Sequence, residues 1–171
     1  MLRRGSVDDA EAIARLHIAS WRSTYVREMP AAFLDGLDVV ARTARWRRQL
    51  EEGVRVVIAE DGADLTGYVA CGPARDTLSG SGAWQVYNLH VSPSRQMQGI
   101  GSALFNAAVE LGSEEGAREL VLWVIDSNSN ARSFYEHKGM RVSGHREEHF
   151  ARGDFSLGET LYSMGLPDGG R

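Results

Sequence analysis

Residues Trp84 to Gly112 read Trp-Gln-Val-Tyr-Asn-Leu-His-Val, then Ser-Pro-Ser-Arg-Gln-Met-Gln, then Gly-Ile-Gly-Ser-Ala-Leu-Phe-Asn-Ala-Ala-Val-Glu-Leu-Gly. The first run mixes aromatic and β-branched residues and stops at Pro93, which predicts a strand. From Ile100 the apolar residues Ile100, Leu104, Phe105, Ala108 and Leu111 recur at helical spacing, with Gly112 as a C-cap candidate. Between strand and helix stands Gln96-Met97-Gln98-Gly99-Ile100-Gly101. Glycines allow the backbone to turn and to approach a bound group closely. A helix that starts there points free N–H groups and its positive dipole end into the loop, which suits a phosphate.

Three kinds of phosphate binder combine strand, glycine loop and helix. A Walker loop needs a Lys at the helix start, and none is present. A dinucleotide fingerprint needs Gly-x-Gly-x-x-Gly directly after the strand; here Leu104 replaces the third glycine, and Ser92 to Gln98 intervene. Asp126 could still stand for the ribose-binding acid, so this alternative predicts affinity for NAD. The third pattern, Arg/Gln-x-x-Gly-x-Gly/Ala, is met by Gln96-x-x-Gly99-x-Gly101. Together with Val91, Pro93 and the amphipathic helix, the stretch resembles the acetyl-CoA motif of the GNAT superfamily of N-acetyltransferases.

Composition bounds the rest. A chain of 171 residues, 43% hydrophobic, suits one domain over 1–166 with a flexible tail at 167–171. No apolar run reaches membrane-spanning length, and Met1 to Gly5 lack a signal-peptide core. Cys71 is the lone cysteine, so it reads as a small buried strand residue in a reducing cytoplasm. A net charge of −4 argues against general nucleic-acid binding.

In chain order, Ser6 and Asp9 form a capping-box signature before a helix over about 7–26. Its inner face carries Ile13, Leu16, His17, Trp21, Thr24 and Tyr25. A second helical stretch covers about 31–51, with Val39, Val40, Thr43, Trp46 and Leu50 inside and Arg42, Arg45, Arg47 and Arg48 on a solvated face. Val54–Glu60 and Leu65–Gly72 flank Asp61-Gly62-Ala63-Asp64, a hairpin signal. A glycine-rich link, Asp76 to Gly82, leads to the central strand. Glu119–Ile125 is a nearly continuous apolar strand, completing a right-handed parallel βαβ unit. A short helix over about 129–138, closed by Lys138 and Gly139, precedes an antiparallel pair at 140–150 and 155–164.

This element order also resembles the GNAT fold, over roughly 3–165. A second matching motif is Asn130-Ala131-x-x-Phe134-Tyr135-x-x-x-Gly139-Met140. The resemblance implies a mixed α/β (α+β) fold: a central, mostly antiparallel sheet with a splayed parallel pair, flanked by helices. It implies acetyl-CoA as co-substrate and no metal. Leu89, His90 and Val91 would pair with the pantetheine arm, and Gln96, Met97, Gln98, Gly99, Ile100, Gly101 and Ser102 would surround the pyrophosphate. Asn130, Ser133 and Tyr135 would flank the lower arm. Met97 stands where the family often has glycine, which implies a stiffer loop.

Acetyl transfer to an amine needs a base, donors for the oxyanion and an acid for the departing thiolate. By the resemblance, Tyr135 is the thiolate acid, the other reading being aromatic packing. Some relatives carry a Glu six residues before the position of Val91; here that residue is Gln85, whose amide cannot accept a proton. Gln85 is kept as a substrate-binding candidate. The base falls to Glu148, Glu147, His90, His145, His149 or a water, with Glu148 taken as the catalytic candidate. His145 and His149 lack a third ligand for a metal. Trp21 and Tyr25 either pack in the core or line the acceptor pocket, which the first two helices border in the family. The expected function is acetyl transfer from acetyl-CoA to a primary amine, on a small molecule or a protein N-terminus, by a monomer or homodimer acting on neither nucleic acid nor membrane. The alternative is an acyl-CoA sensor without catalysis.

Overall fold

A computed structural model describes residues 1–75, 80, 82–151 and 153–167. Most of the glycine-rich link at 76–82, and 168–171 of the expected tail, lie outside the described residues. Among the described residues the α-helices and strands follow one another as β1 (Leu2–Arg4), α1 (Ala10–Thr24), α2 (Ala31–Asp35), α3 (Val39–Glu51), β2 (Arg55–Asp61), β3 (Asp64–Pro73), β4 (Trp84–Val91), α4 (Ile100–Glu114), β5 (Glu119–Ile125), α5 (Ser129–His137), β6 (Arg141–Phe150) and β7 (Phe155–Gly165). The sheet has seven strands in the order β1-β2-β3-β4-β5-β7-β6 and is mostly antiparallel. Its parallel pair is β4–β5, in register from Trp84↔Leu120 to Val86↔Leu122, while β4 runs on to Val91.

The chain divides into two compact units, Met1–Cys71 with Asn88–Ala108, and Gly72–Tyr87 with Val109–Arg171. In the first, alternation along β2 and β3 sends Val56, Ile58, Tyr68 and Ala70 to one face, where Ala10, Ile13, Ala14 and Leu16 of α1 and Trp46 of α3 cover them. Each fully buried aliphatic side chain there contributes about 1.5–3 kcal/mol. Gly67 points to the opposite face. A Cβ at that position would come 3.0 Å from the His90 carbonyl oxygen, 3.0 Å from Leu104 and 3.1 Å from Ile100. The glycine therefore lets the first turns of α4 lie directly on the sheet.

In the second unit, Ala83, Val121 and Leu161 form a buried cluster with Ala74 and Trp123 packed against it. Tyr162 of β7 holds α5 in place: its hydroxyl donates to Glu136 at 2.8 Å and accepts from Arg132 at 3.2 Å.

Five sequence readings need correction. Val40, expected inside the second helical stretch, is 76% exposed. The helix expected over 7–26 begins as a 3-10 turn, Val7–Asp9, and its α-helical part is Ala10–Thr24. The stretch expected over 31–51 is two helices, because the Asp38 carboxylate accepts from the N–H groups of Val40 and Ala41 and starts a new one. Gly112 lies inside α4 and does not cap it. A Cβ there would fall 2.9 Å from Trp84 and 2.8 Å from Leu166, so the glycine serves close packing. The three-residue strand β1, exposed throughout, was not anticipated. Cys71 is fully buried, as read.

Candidate active site

Pro93 ends β4 and opens a single 3-10 turn, Pro93–Arg95. This loop is tied to the β2–β3 hairpin, with the Ser92 N–H donating to the Thr66 carbonyl at 2.8 Å and Arg95 paired to Asp61 at 2.9 Å. Gln96, Met97, Gln98 and Gly99 are then exposed, and Ile100, Gly101 and Ser102 form the half-buried first turn of α4. Met97 and Gly99 both take positive φ, 60° and 80°. At Gly99 this is unstrained; at Met97 it is the left-handed region that glycine favours. The Gly99 carbonyl accepts the first helical bond, from Ala103 at 3.0 Å. Gly99 has no side chain to cap the N–H groups that follow, and no atom lies within 4 Å of where its Cβ would be. A run of backbone donors at the positive end of a helix, beside open space, fits a phosphate group. A neighbouring cleft of about 410 Å³ is lined by Gln98, Gly99 and Ile100 together with Thr66, Glu60 and Arg95.

In the same unit, the strand residues expected to hold pantetheine, Leu89, His90 and Val91, are half-buried. The His90 side chain meets α1 and β3. Its Nδ1 lies 2.9 Å from Ser20 Oγ, and its ring centroid is 4.9 Å from that of His17 and 5.6 Å from that of Tyr68. His17 is 3% exposed; its Nδ1 is 2.8 Å from Tyr68 Oη, while its Nε2 is buried with no hydrogen-bond partner among the described residues. Trp21 stacks on His17 at 5.4 Å and meets Tyr25 and Phe33 at 5.6 and 6.3 Å. Burial, followed by the field of Arg42, pushes His90 down to about 4. Burial lowers His17 well below the ordinary histidine range and raises Tyr68 well above the ordinary tyrosine value. These are neutral, desolvated polar groups in an aromatic setting. Tyr25 is buried and Trp21 half-buried, and both rings pack within this aromatic group.

In the second unit, α5 begins at Asn128, whose side chain accepts from the Ala131 N–H at 3.1 Å. Asn130 and Ser133 are exposed on the helix, and Tyr135 is 7% exposed beside Phe134 at 5.1 Å. Gln85 of β4 accepts through Oε1 from the Arg75 N–H at 3.0 Å, which gives that amide a structural task. Glu148 of β6 is ion-paired to Arg146 at 3.4 Å; Arg146 also holds Glu159 at 2.7 Å and lies over Trp123 at 4.2 Å. Glu147 is exposed. His145 and His149 contact hydroxyls, Thr160 at 3.2 Å and Ser156 at 3.3 Å. The Asp126 carboxylate, the ribose-binding candidate of the dinucleotide reading, accepts from Thr160 at 2.6 Å. Among the described residues no group of three or more His, Cys, Asp or Glu is placed to hold a metal, and no helix is long and apolar enough to cross a membrane.

The family model described as Acetyltransferase (GNAT) family matches residues 11–140. The chain belongs to the GNAT family. It is an N-acetyltransferase by that membership, consistent with its relatives. The uncharacterized N-acetyltransferase YuaI of Bacillus subtilis (strain 168) is 28% identical over 167 residues, covering 98% of this chain and 92% of that one. Two solved structures share the fold. One is PaiA N-acetyltransferase from Thermoplasma acidophilum in complex with coenzyme A, with TM-score 0.74, 18% identity, and 96% and 98% of the two chains covered. The other is yncA from Salmonella typhimurium with its cofactor acetyl-CoA, with TM-score 0.72, 18% identity, and 100% and 96% covered.

For a GNAT chain, the N-cap chemistry read at Asp126 to Asn130 falls on Asn128, and one feature escaped the sequence reading. Tyr68 meets His17 across 51 residues and His90 meets Ser20 across 70, which no local pattern reports. The one available signal was His17, an imidazole on the inner face of the first helix.

Proposed function

We infer that this chain transfers the acetyl group of acetyl-CoA to a primary amine, on a small molecule or a protein N-terminus, by direct transfer while both substrates are bound. The observation that carries this reading is the glycine-hinged start of α4, reached from β4 through the loop at 92–99, in a chain of the GNAT family. Neighbours of the same fold hold CoA or acetyl-CoA. Acetyl-CoA would supply the activated acetyl thioester. Backbone N–H groups from Gln96 to Ser102 would hold its pyrophosphate, and the backbone of Leu89 and Val91 its pantetheine amides. The same strand backbone would donate to the oxyanion, and the Tyr135 hydroxyl would give its proton to the departing sulfur. Asn130 and Ser133, exposed on α5, would meet the lower arm, and Trp21 and Tyr25 the acceptor. Both units serve one acetyltransferase domain in this reading, at home in the cytoplasm, and the family match itself runs through both.

Thermal melting with saturating acetyl-CoA tests the cofactor, because a ligand that binds only the folded state raises Tm. A rise with acetyl-CoA and none with NAD is expected; the reverse would overturn the reading. A screen of small amines and N-terminal peptides for released CoA thiol then identifies the acceptor.

A further inference from the structure

The strand position that carries a carboxylate base in some relatives is Gln85, and its amide oxygen is occupied by the Arg75 N–H. The carboxylate candidate Glu148 faces Arg146, which also draws Glu159. The cluster around β4 is different in kind. His90 lies between Leu89 and Val91, the two residues whose backbone the proposed function assigns to the thioester arm. Its Nδ1 is taken by Ser20, and its Nε2 makes no hydrogen bond among the described residues.

Resting on that function, we propose that His90 is the general base of the acetyl transfer, oriented by Ser20. With Nδ1–H donating to Ser20 Oγ, the free lone pair sits on Nε2. The amine nitrogen's lone pair forms the C–N bond to the thioester carbon, and the carbonyl π pair moves to oxygen. The nitrogen becomes cationic and far more acidic than a free ammonium, and Nε2 takes one of its protons. The C–S bond then breaks, the oxygen pair re-forms the carbonyl, and Tyr135 protonates the sulfur. His90 loses its proton to solvent and Tyr135 regains one, so the sum is amine plus thioester to amide plus thiol.

The groups facing the His90 ring are His17 and Ser20 from α1, Tyr68 from β3, and the charge of Arg42 from α3. None of these is a carboxylate, so the ring stays neutral at the pH of the reaction. His17 lies beside it, its Nε2 buried with no hydrogen-bond partner among the described residues.

The test uses the full chain, acetyl-CoA and 2-phenylethylamine as probe amine, an aromatic amine suited to the Trp21, Tyr25 and Phe33 surroundings. Acetyl-CoA affinity is measured by calorimetry and transfer by thiol release between pH 6 and 10. His90→Gln is expected to keep acetyl-CoA affinity and to lose about 100-fold in kcat/KM for the amine near neutral pH, the usual size of a general-base term. The deficit should shrink toward pH 10, where hydroxide replaces the base. Ser20→Ala should lose several-fold with the same affinity and a displaced pH profile. A His90→Gln protein with wild-type rate and profile overturns the assignment, as does one whose loss is equal at every pH. Should His90→Gln fail to melt cooperatively, Ser20→Ala decides alone, and an unchanged profile overturns the proposal. If the probe is not turned over, the acceptor found by the amine and peptide screen replaces it; wild-type protein that binds acetyl-CoA but accelerates transfer to no amine overturns the base but not the cofactor site, and wild-type protein that does not bind acetyl-CoA overturns both.

Discussion

Two helices of this chain begin in opposite ways. α5 opens on Asn128, whose side chain satisfies the Ala131 N–H, and the Asn128 carbonyl accepts from Arg132 at 3.1 Å. α4 opens on Gly99, which brings only backbone. The first helix start is completed by the chain itself. The second leaves donors at the positive end of a dipole, with open space before them. A self-capped start serves stability, and in the proposed function the open one holds an anion, so the two ends should respond to mutation in different currencies: α5 in melting temperature, α4 in ligand affinity.

The harshest way to break that contrast is Gly101→Asp. A carboxylate about 4 Å from a phosphate charge repels it by about 4 kcal/mol near a protein surface, or about a thousand-fold in affinity. Calorimetry should show acetyl-CoA binding lost while far-UV circular dichroism stays native; retained binding would mean that the phosphate lies elsewhere.

Next in size is Tyr135→Phe on the capped helix. The ring and its contact with Phe134 persist, so folding and acetyl-CoA affinity should hold. If the hydroxyl protonates the leaving thiolate, kcat falls about 100-fold. A near-normal kcat, on an amine whose chemical step limits the rate, would reduce Tyr135 to a packing residue.

Asn128→Ala removes a cap that is worth about 1 kcal/mol. Urea unfolding should show that loss with little change in acetyl-CoA affinity. An affinity loss larger than the stability loss would make Asn128 a ligand contact and blur the contrast between the two helix starts.

The smallest effect is expected at Met97, where a non-glycine residue holds φ at 60° with its side chain fully exposed. Left-handed backbone costs such a residue about 1–2 kcal/mol, while glycine adds about 0.5–1 kcal/mol of chain entropy. Met97→Gly should therefore stabilise the protein by a few tenths to about 1 kcal/mol, read as a slight rise in Tm.

Much of this was legible in the sequence where the code is local. The alternation of Trp84–Val91, Pro93 and the glycines at 99 and 101 place strand, loop and helix within a residue or two, and Asp61-Gly62 marks the hairpin. The departures each have a physical reason. β1 is too short to show a period. Asp38 divides one apolar pattern into two helices by capping. Gly112 reads as a stop because a packing glycine and a capping glycine look alike until Trp84 and Leu166 are in place. The polar cluster was least visible, because Ser20 and His90 meet only after β4 has been laid against the first helix.

Gly67 sets a limit that sequence drift along α4 cannot relax. With the His90 carbonyl at 3.0 Å from any added Cβ, and Leu104 and Ile100 equally near, the distance between strand and helix is fixed by the absence of one methyl group. The end of β4 and the start of α4, which the proposed function assigns to one cofactor, thus share a single spacer residue on a third element. Enlarging it would push the helix start and the strand end away from β3 together, so position 67 works as a thickness gauge for the seat proposed there although it supplies no atom to it.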